Sequence, residues 1–85
     1  MGKINFKEIA VKDIKGDEQK IDMSYDFGNL LYVQGKNIVE FELGLKIYHT
    51  VGDLELTDEE TNVVKEYAQR FPYLYQKSIV DSIKQ

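Results

Sequence analysis

The chain contains no cysteine, which removes disulfide frameworks, thiolate metal sites and thiol nucleophiles together and argues against disulfide-dependent secretion. Histidine occurs once, at His49, so imidazole chemistry rests on a single side chain. No apolar run approaches the roughly 18 residues that span a bilayer. The opening stretch MGKINFKEIAVKD lacks the continuous apolar segment and small-residue cleavage pattern of a signal peptide. Phe6 stands where a myristoylation signal beginning at Gly2 prefers Ser or Thr. The expectation is a cytoplasmic protein with no membrane attachment. Gly-rich phosphate loops and RNP-like motifs are also missing.

What is present fits a folded domain. Of the 85 residues, 42% are hydrophobic and 31% charged, whereas a disordered segment would be poorer in aromatic and β-branched residues. One domain, residues 1–85, is expected, long enough for a core without staples but with a thin stability margin. The charge is segregated. Between Glu40 and Glu60, seven acidic side chains stand against Lys46 alone, and the following segment is mildly basic through Lys65, Arg70, Lys77 and Lys84.

The segment INFKEIAVKDI alternates at Ile4 and Phe6, then changes phase and alternates at Ile9 and Val11. This predicts one strand over residues 5–12 with a bulge or an irregular start. A Gly16-Asp17 turn followed by KIDMS completes a β-hairpin. In SYDFGNLLYVQG, Phe27, Leu30, Leu31 and Gln34 have helical spacing, with Ser24 as N-cap and Gly35 as a left-handed terminator. Gly28 weakens that helix by about 1 kcal/mol unless another backbone approaches it closely.

Two templates compete from Asn37 to Thr50. Val39, Phe41, Leu43, Leu45 and Ile47 alternate as in a strand. Asn37 and Glu40 have capping-box-like spacing, and Val39, Leu43, Ile47 and Tyr48 form a helical stripe. The helix is favoured, although Phe41 and Leu45 then need a second partner surface. After Gly52, Leu54 and Leu56 mark a short strand. Thr57 and Glu60 form a capping box, and Val63, Val64, Tyr67, Ala68 and Phe71 line one face of the helix it starts. Pro72 ends or kinks that helix, and Tyr75, Ile79 and Ile83 mark a last one. The fold class is α+β, in the order β-β-α-α-β-α-α, with a short antiparallel sheet packed against helices.

Each candidate chemistry has a plainer competitor. His49 could act as a general base, but a histidine in the last turn of a helix more often complements the helix dipole. Asp53, Glu55, Asp58, Glu59 and Glu60 are dense enough to suggest a cation site. They lack the Gly-centred loop of an EF-hand, and Asp58 to Glu60 already serve a helix start. Six tyrosines could stack on single-stranded nucleic acid. A net charge of −4 opposes phosphate binding, however, so direct contact with nucleic acid is not expected. A helix-turn-helix over residues 24–50 would turn Glu40 and Glu42 toward phosphates, which is the wrong sign.

DFGNLLYVQGKNIVEFELGLKIYHTVGDLELTDEE and FPYLYQKSIVDSI resemble a group of small proteins of unassigned function from gut-bacterial (Bacteroidales) phages and integrated mobile elements. Gly28 to Tyr32, Ile47-Tyr48, Gly52, Leu54 to Leu56 and Thr57 to Glu60 carry the likeness. It implies an Ile-Tyr helix before Gly52, which favours helix from Asn37 to Thr50, and brings no activity and no catalytic residues. The sequence therefore leads us to expect a non-enzymatic protein-interaction module without catalytic, cofactor-binding or metal-binding residues. Its partner is another protein or a second copy, and its candidate surface carries Glu40, Glu42, Tyr73 and Tyr75. The alternative is a nucleic-acid-associated regulator or an acidic decoy of a DNA-binding protein.

Overall fold

The change of phase between Phe6 and Ile9 is a turn between two strands. In the computed structural model, which describes residues 2–84, the single strand expected over residues 5–12 is replaced by β1 (Gly2–Ile4) and β2 (Ile9–Lys12). The Asn5 side chain accepts the Lys7 amide at 3.1 Å and its carbonyl accepts the Glu8 amide at 3.2 Å, an Asx-type turn. The turn restores the inward phase, so Ile4, Phe6, Ile9 and Val11 are all buried. Alternation alone cannot separate such a turn from a bulge.

The remaining elements are β3 (Glu18–Ile21), α1 (Ser24–Gln34), α2 (Ile38–His49), β4 (Leu54–Leu56), α3 (Asp58–Ala68) and α4 (Tyr73–Asp81). The α+β class stands, with one strand more than expected and two two-stranded antiparallel sheets in place of one. β2 and β3 form the hairpin, turning through Gly16 at φ +89°. β1 pairs with β4 in the register Lys3 to Glu55. On its other edge, Lys3 exchanges backbone hydrogen bonds of 2.8 and 2.7 Å with Lys84.

Helix ends explain where the helices begin. Thr57 and Glu60 make the expected capping box, with bonds of 2.9 and 3.1 Å. The Asn37 side chain accepts the Glu40 amide at 2.9 Å, which resolves residues 38–49 as helix. Two expected caps are corrected. Ser24 is the first residue of α1, after Met23 at the N-cap position, and its hydroxyl and amide both donate to the Asp22 carboxylate, at 2.6 and 2.9 Å. The hydroxyl bond first, then the amide, holds the Asp22 carboxyl below its ordinary pKa. Gly35 is extended, at φ −59° and ψ 136°, and not left-handed. A side chain there would run into the Leu31 carbonyl, so close approach is the reason for glycine.

A single core cluster joins all the layers. Phe27 sits near its middle, 4.9 Å from the Phe6 ring and 5.6 Å from Phe71. Among the described residues, no buried side-chain polar atom lacks a hydrogen-bond partner. No described helix is long and apolar enough to cross a membrane.

Candidate protein-interaction surface

α2 is apolar on two sides. Leu43 and Ile47 enter the core, whereas Ile38, Phe41, Leu45 and Tyr48 repeat at helical spacing on a face that the core does not cover. α1 likewise buries Phe27 and Leu31 and leaves Tyr25 and Tyr32 outside. The antiparallel packing of the two helices merges these outer faces. Gly28 and Gly44 meet at the crossing, where a Cβ on Gly44 would lie 2.7 Å from the Gly28 carbonyl oxygen and one on Gly28 would lie 2.8 Å from that of Gly44. Only residues without side chains let the backbones come this near.

Aromatic pairs flank the glycine contact. Tyr25 and Tyr48 stand edge to face at 6.1 Å toward one end, and Tyr32 and Phe41 lie 4.6 Å apart toward the other. Between them is a hollow of about 130 Å³ with Gly28 and Gly44 among its lining residues and Asn29 as its polar group. No charged residue lines it, in a chain that is 31% charged. Tyr25 is 62% exposed, Ile38 64% and Tyr48 48%, so the face is apolar surface held in water. Lys7 closes one end, donating to the Tyr48 carbonyl at 3.2 Å with its ammonium 5.7 Å from the ring centre. A larger hollow of about 500 Å³ between the hairpin and α4 is lined by Lys12, Asp13, Glu18, Lys77 and Asp81, and charge of both signs keeps it hydrated.

The residues expected at the surface are dispersed. Glu40 is a correction: it is buried, and its carboxylate accepts the Lys36 amide at 2.9 Å and the Tyr67 hydroxyl at 2.6 Å. Those two bonds, the amide first, hold its pKa below the ordinary value. The same contact with Glu40, reinforced by burial, raises that of Tyr67. Arg70 covers the Tyr67 ring at 4.5 Å and bonds Gln34. Glu40 thus ties the start of α2 to α3. Helical spacing places Glu40 on the inward stripe of Leu43 and Ile47, at i, i+3 and i+7, but does not indicate its partner in α3.

Glu42 is exposed on α2, Tyr73 is exposed at the start of α4, and Tyr75 is half-buried against the core. The structure does not gather them into one surface. Within the acidic block, Glu60 bonds Thr57 and pairs with Lys46 at 3.2 Å. Burial pushes its pKa up, but the Thr57 amide and Lys46 outweigh that and leave it lowered. Asp53 lies 3.9 Å from the Lys84 ammonium. Among the described residues, no group of three carboxylates or imidazoles converges as a metal would require. His49 is exposed in the last turn of α2, with its ring 5.0 Å from that of Tyr48.

The outer face of α1 and α2 is absent from the surface the sequence nominated, although one signal pointed to it. Phe41 and Leu45 are the residues that a one-sided helix leaves unexplained. No protein-family model, curated protein or solved structure matches the chain.

Proposed function

We propose that the chain is a non-enzymatic protein-interaction module of phage or mobile-element origin, working in the cytoplasm through the tyrosine-lined face of α1 and α2. The observation that carries this reading is an uncharged hollow over Gly28 and Gly44, framed by Tyr25, Tyr32, Leu45 and Tyr48. The cores of protein interfaces are depleted in charge and enriched in tyrosine. Tyr25, Tyr32 and Tyr48 are each about half exposed or more, so at roughly 150–250 Å² per aromatic side chain the apolar face is on the order of a few hundred Å², the size of the largest and often functional patch on a typical monomer. The resemblance to small phage and mobile-element proteins supports the origin. A nucleic-acid or decoy role draws on exposed acids, and it loses Glu40 and Glu60 to internal bonds.

The test is a photoreactive phenylalanine analogue placed singly at Tyr32, Tyr48, Ile14 or Tyr73 and irradiated both in purified protein and in cells. Discrete adducts are expected from Tyr32 and Tyr48 and none from Ile14, which is fully exposed at the hairpin tip. Adducts from Tyr73 alone would move the working surface to α4. Their absence at every position would end the interaction reading.

A further inference from the structure

We infer that the open edge of β3 pairs with the same edge of a second copy of this chain, joining two hairpins into one four-stranded antiparallel sheet across a two-fold axis. The inference stands apart from the α1–α2 reading. The hairpin is a sheet of two strands only, and α4 packs beside β2, so the free edge belongs to β3. The Asp13 amide donates to the Asp17 carbonyl at 2.9 Å, and antiparallel ladders alternate bonded with non-bonded pairs. In the register of Lys12 with Glu18, Gln19 and Ile21 therefore bond inward to β2, and the amides and carbonyls of Glu18 and Lys20 point outward. Glu18, Gln19 and Lys20 are exposed. Among the described residues, no backbone hydrogen bond outside the β2 pairing reaches them.

Charge selects both the occupant and the register. With the axis at Gln19, the outward groups of Glu18 meet those of Lys20 of the second copy, and the reverse holds on the other side of the axis. The paired side chains share a face, so opposite charges stand about 5 Å apart. Because Lys12 already stands opposite Glu18 within the hairpin, each row runs Lys12, Glu18 and Lys20 of the second copy, alternating in sign. Sliding one strand by two residues would set Glu18 against Glu18 or Lys20 against Lys20, and like charges directly opposite are destabilising. The other acids of the hairpin do not oppose the contact. Asp17 falls opposite Ile21 and Asp22 opposite Gly16, the Asp22 carboxylate is bonded to Ser24, and that of Asp13 is bonded to the Lys15 and Asp17 amides. The second Glu18 lies on a diagonal, about 7–8 Å away and farther than Lys20. Natural edges are blunted by lysine, proline or bulges. Here the lysine meets an acid, the single proline is Pro72, and the ladder is unbroken from Ile9 and Ile21 to Lys12 and Glu18.

Sedimentation equilibrium from about 10 µM to about 1 mM covers the weak association that a short strand contact supports, and twice the chain mass is expected within that range. Glu18→Lys and Lys20→Glu each set like charges opposite each other at two symmetric places and are expected to raise the dissociation constant at least about tenfold. An equimolar mixture of the two restores both opposite-charge pairs, so it should dimerise where neither variant does alone. Lys20→Pro removes an outward amide without touching the β2 ladder, a position at which an edge strand tolerates proline, and should abolish the dimer. Circular dichroism checks that each variant is folded. Exchange of the Glu18 and Lys20 amides should slow as concentration rises, while those of Gln19 and Ile21 are protected throughout. Ile14, on the β2 side of the hairpin tip, lies off this edge, and Ile14→Glu should leave the dimer unchanged.

A wild-type chain that stays monomeric throughout overturns the proposal, as does a dimer that survives Glu18→Lys and Lys20→Pro. Failure of the equimolar mixture to dimerise would overturn the register and the charge pairing that selects it. A dimer indifferent to these changes but broken by Leu45→Glu would place the contact on the α1–α2 face, which overturns the edge pairing and leaves the interaction reading standing.

Discussion

Replacing Gly44 with alanine sets two effects of opposite sign against each other. In a helix interior alanine is favoured over glycine by about 1 kcal/mol, so a helix crossing with room for a methyl group would be stabilised. Here the new Cβ would stand 2.7 Å from the Gly28 carbonyl oxygen and 3.0 Å from both the Leu31 Cβ and the Tyr32 amide nitrogen. These are backbone atoms or atoms fixed directly to backbone, so no flexible side chain can yield. To reach an ordinary contact of 3.4 Å, the helices must separate by about 0.7 Å, which forfeits a quarter to a half of the attraction between the atoms lining the seam. Overpacking of this kind costs about 1–3 kcal/mol.

After the helix preference is subtracted, a net loss of up to about 2 kcal/mol is expected, or up to about 15 °C in Tm for a domain of this size. Gly28→Ala should behave alike, its Cβ meeting the Gly44 carbonyl oxygen at 2.8 Å. The double substitution should cost less than the sum of the two, since one separation relieves both clashes. Urea unfolding followed by helical circular dichroism measures each, with an unchanged m-value confirming a pure stability effect. A Gly44→Ala chain about 1 kcal/mol more stable than the parent would refute the backbone contact and, with it, the origin of the hollow.

The Glu40 network makes a pH prediction. Its carboxyl is held low by the Lys36 amide and then by the Tyr67 hydroxyl. It therefore adds stability that is present above the unfolded pKa of about 4.3 and is lost as pH falls through the folded value. Between about pH 5 and pH 2 the urea midpoint should fall less steeply in Glu40→Gln than in the parent, and parallel curves would show that Glu40 is not a paired carboxylate. Tyr67→Phe removes a hydrogen bond to that charge and should cost about 1–3 kcal/mol in the same unfolding assay, a loss under about 0.5 kcal/mol contradicting the assignment. Thr57→Ala should cost about 1 kcal/mol through the capping box, and Thr57→Ser should restore most of it.

Local chemistry was legible in the sequence where a signal and its partner lie within a turn of helix. Thr57 with Glu60, Asn37 with the Glu40 amide, and the Gly16 turn are such cases, and each forms as its spacing implies. Long-range features were not. β1 finds its partner fifty residues away, and nothing in Gly2–Ile4 distinguishes it from the start of a longer strand. Gly28 signalled a weak helix or a close approach, but its counterpart Gly44 sits within a pattern that alternation also explains as a strand residue. Glu40 reads as surface because glutamate is seldom buried. It is buried because a tyrosine from α3 reaches it, a pairing that the linear sequence does not display.

The backbone exchange between Lys3 and Lys84 bears on the order of assembly. α1 and α2 are neighbours in sequence and can pair as soon as both exist, with little loop to close. β1 must wait for β4 on one edge and for residue 84 on the other. On the ribosome, Gly2–Ile4 therefore stays unpaired until residues 54–56 and 84 have been made, and the tyrosine-lined hairpin of helices is built while that sheet is still open.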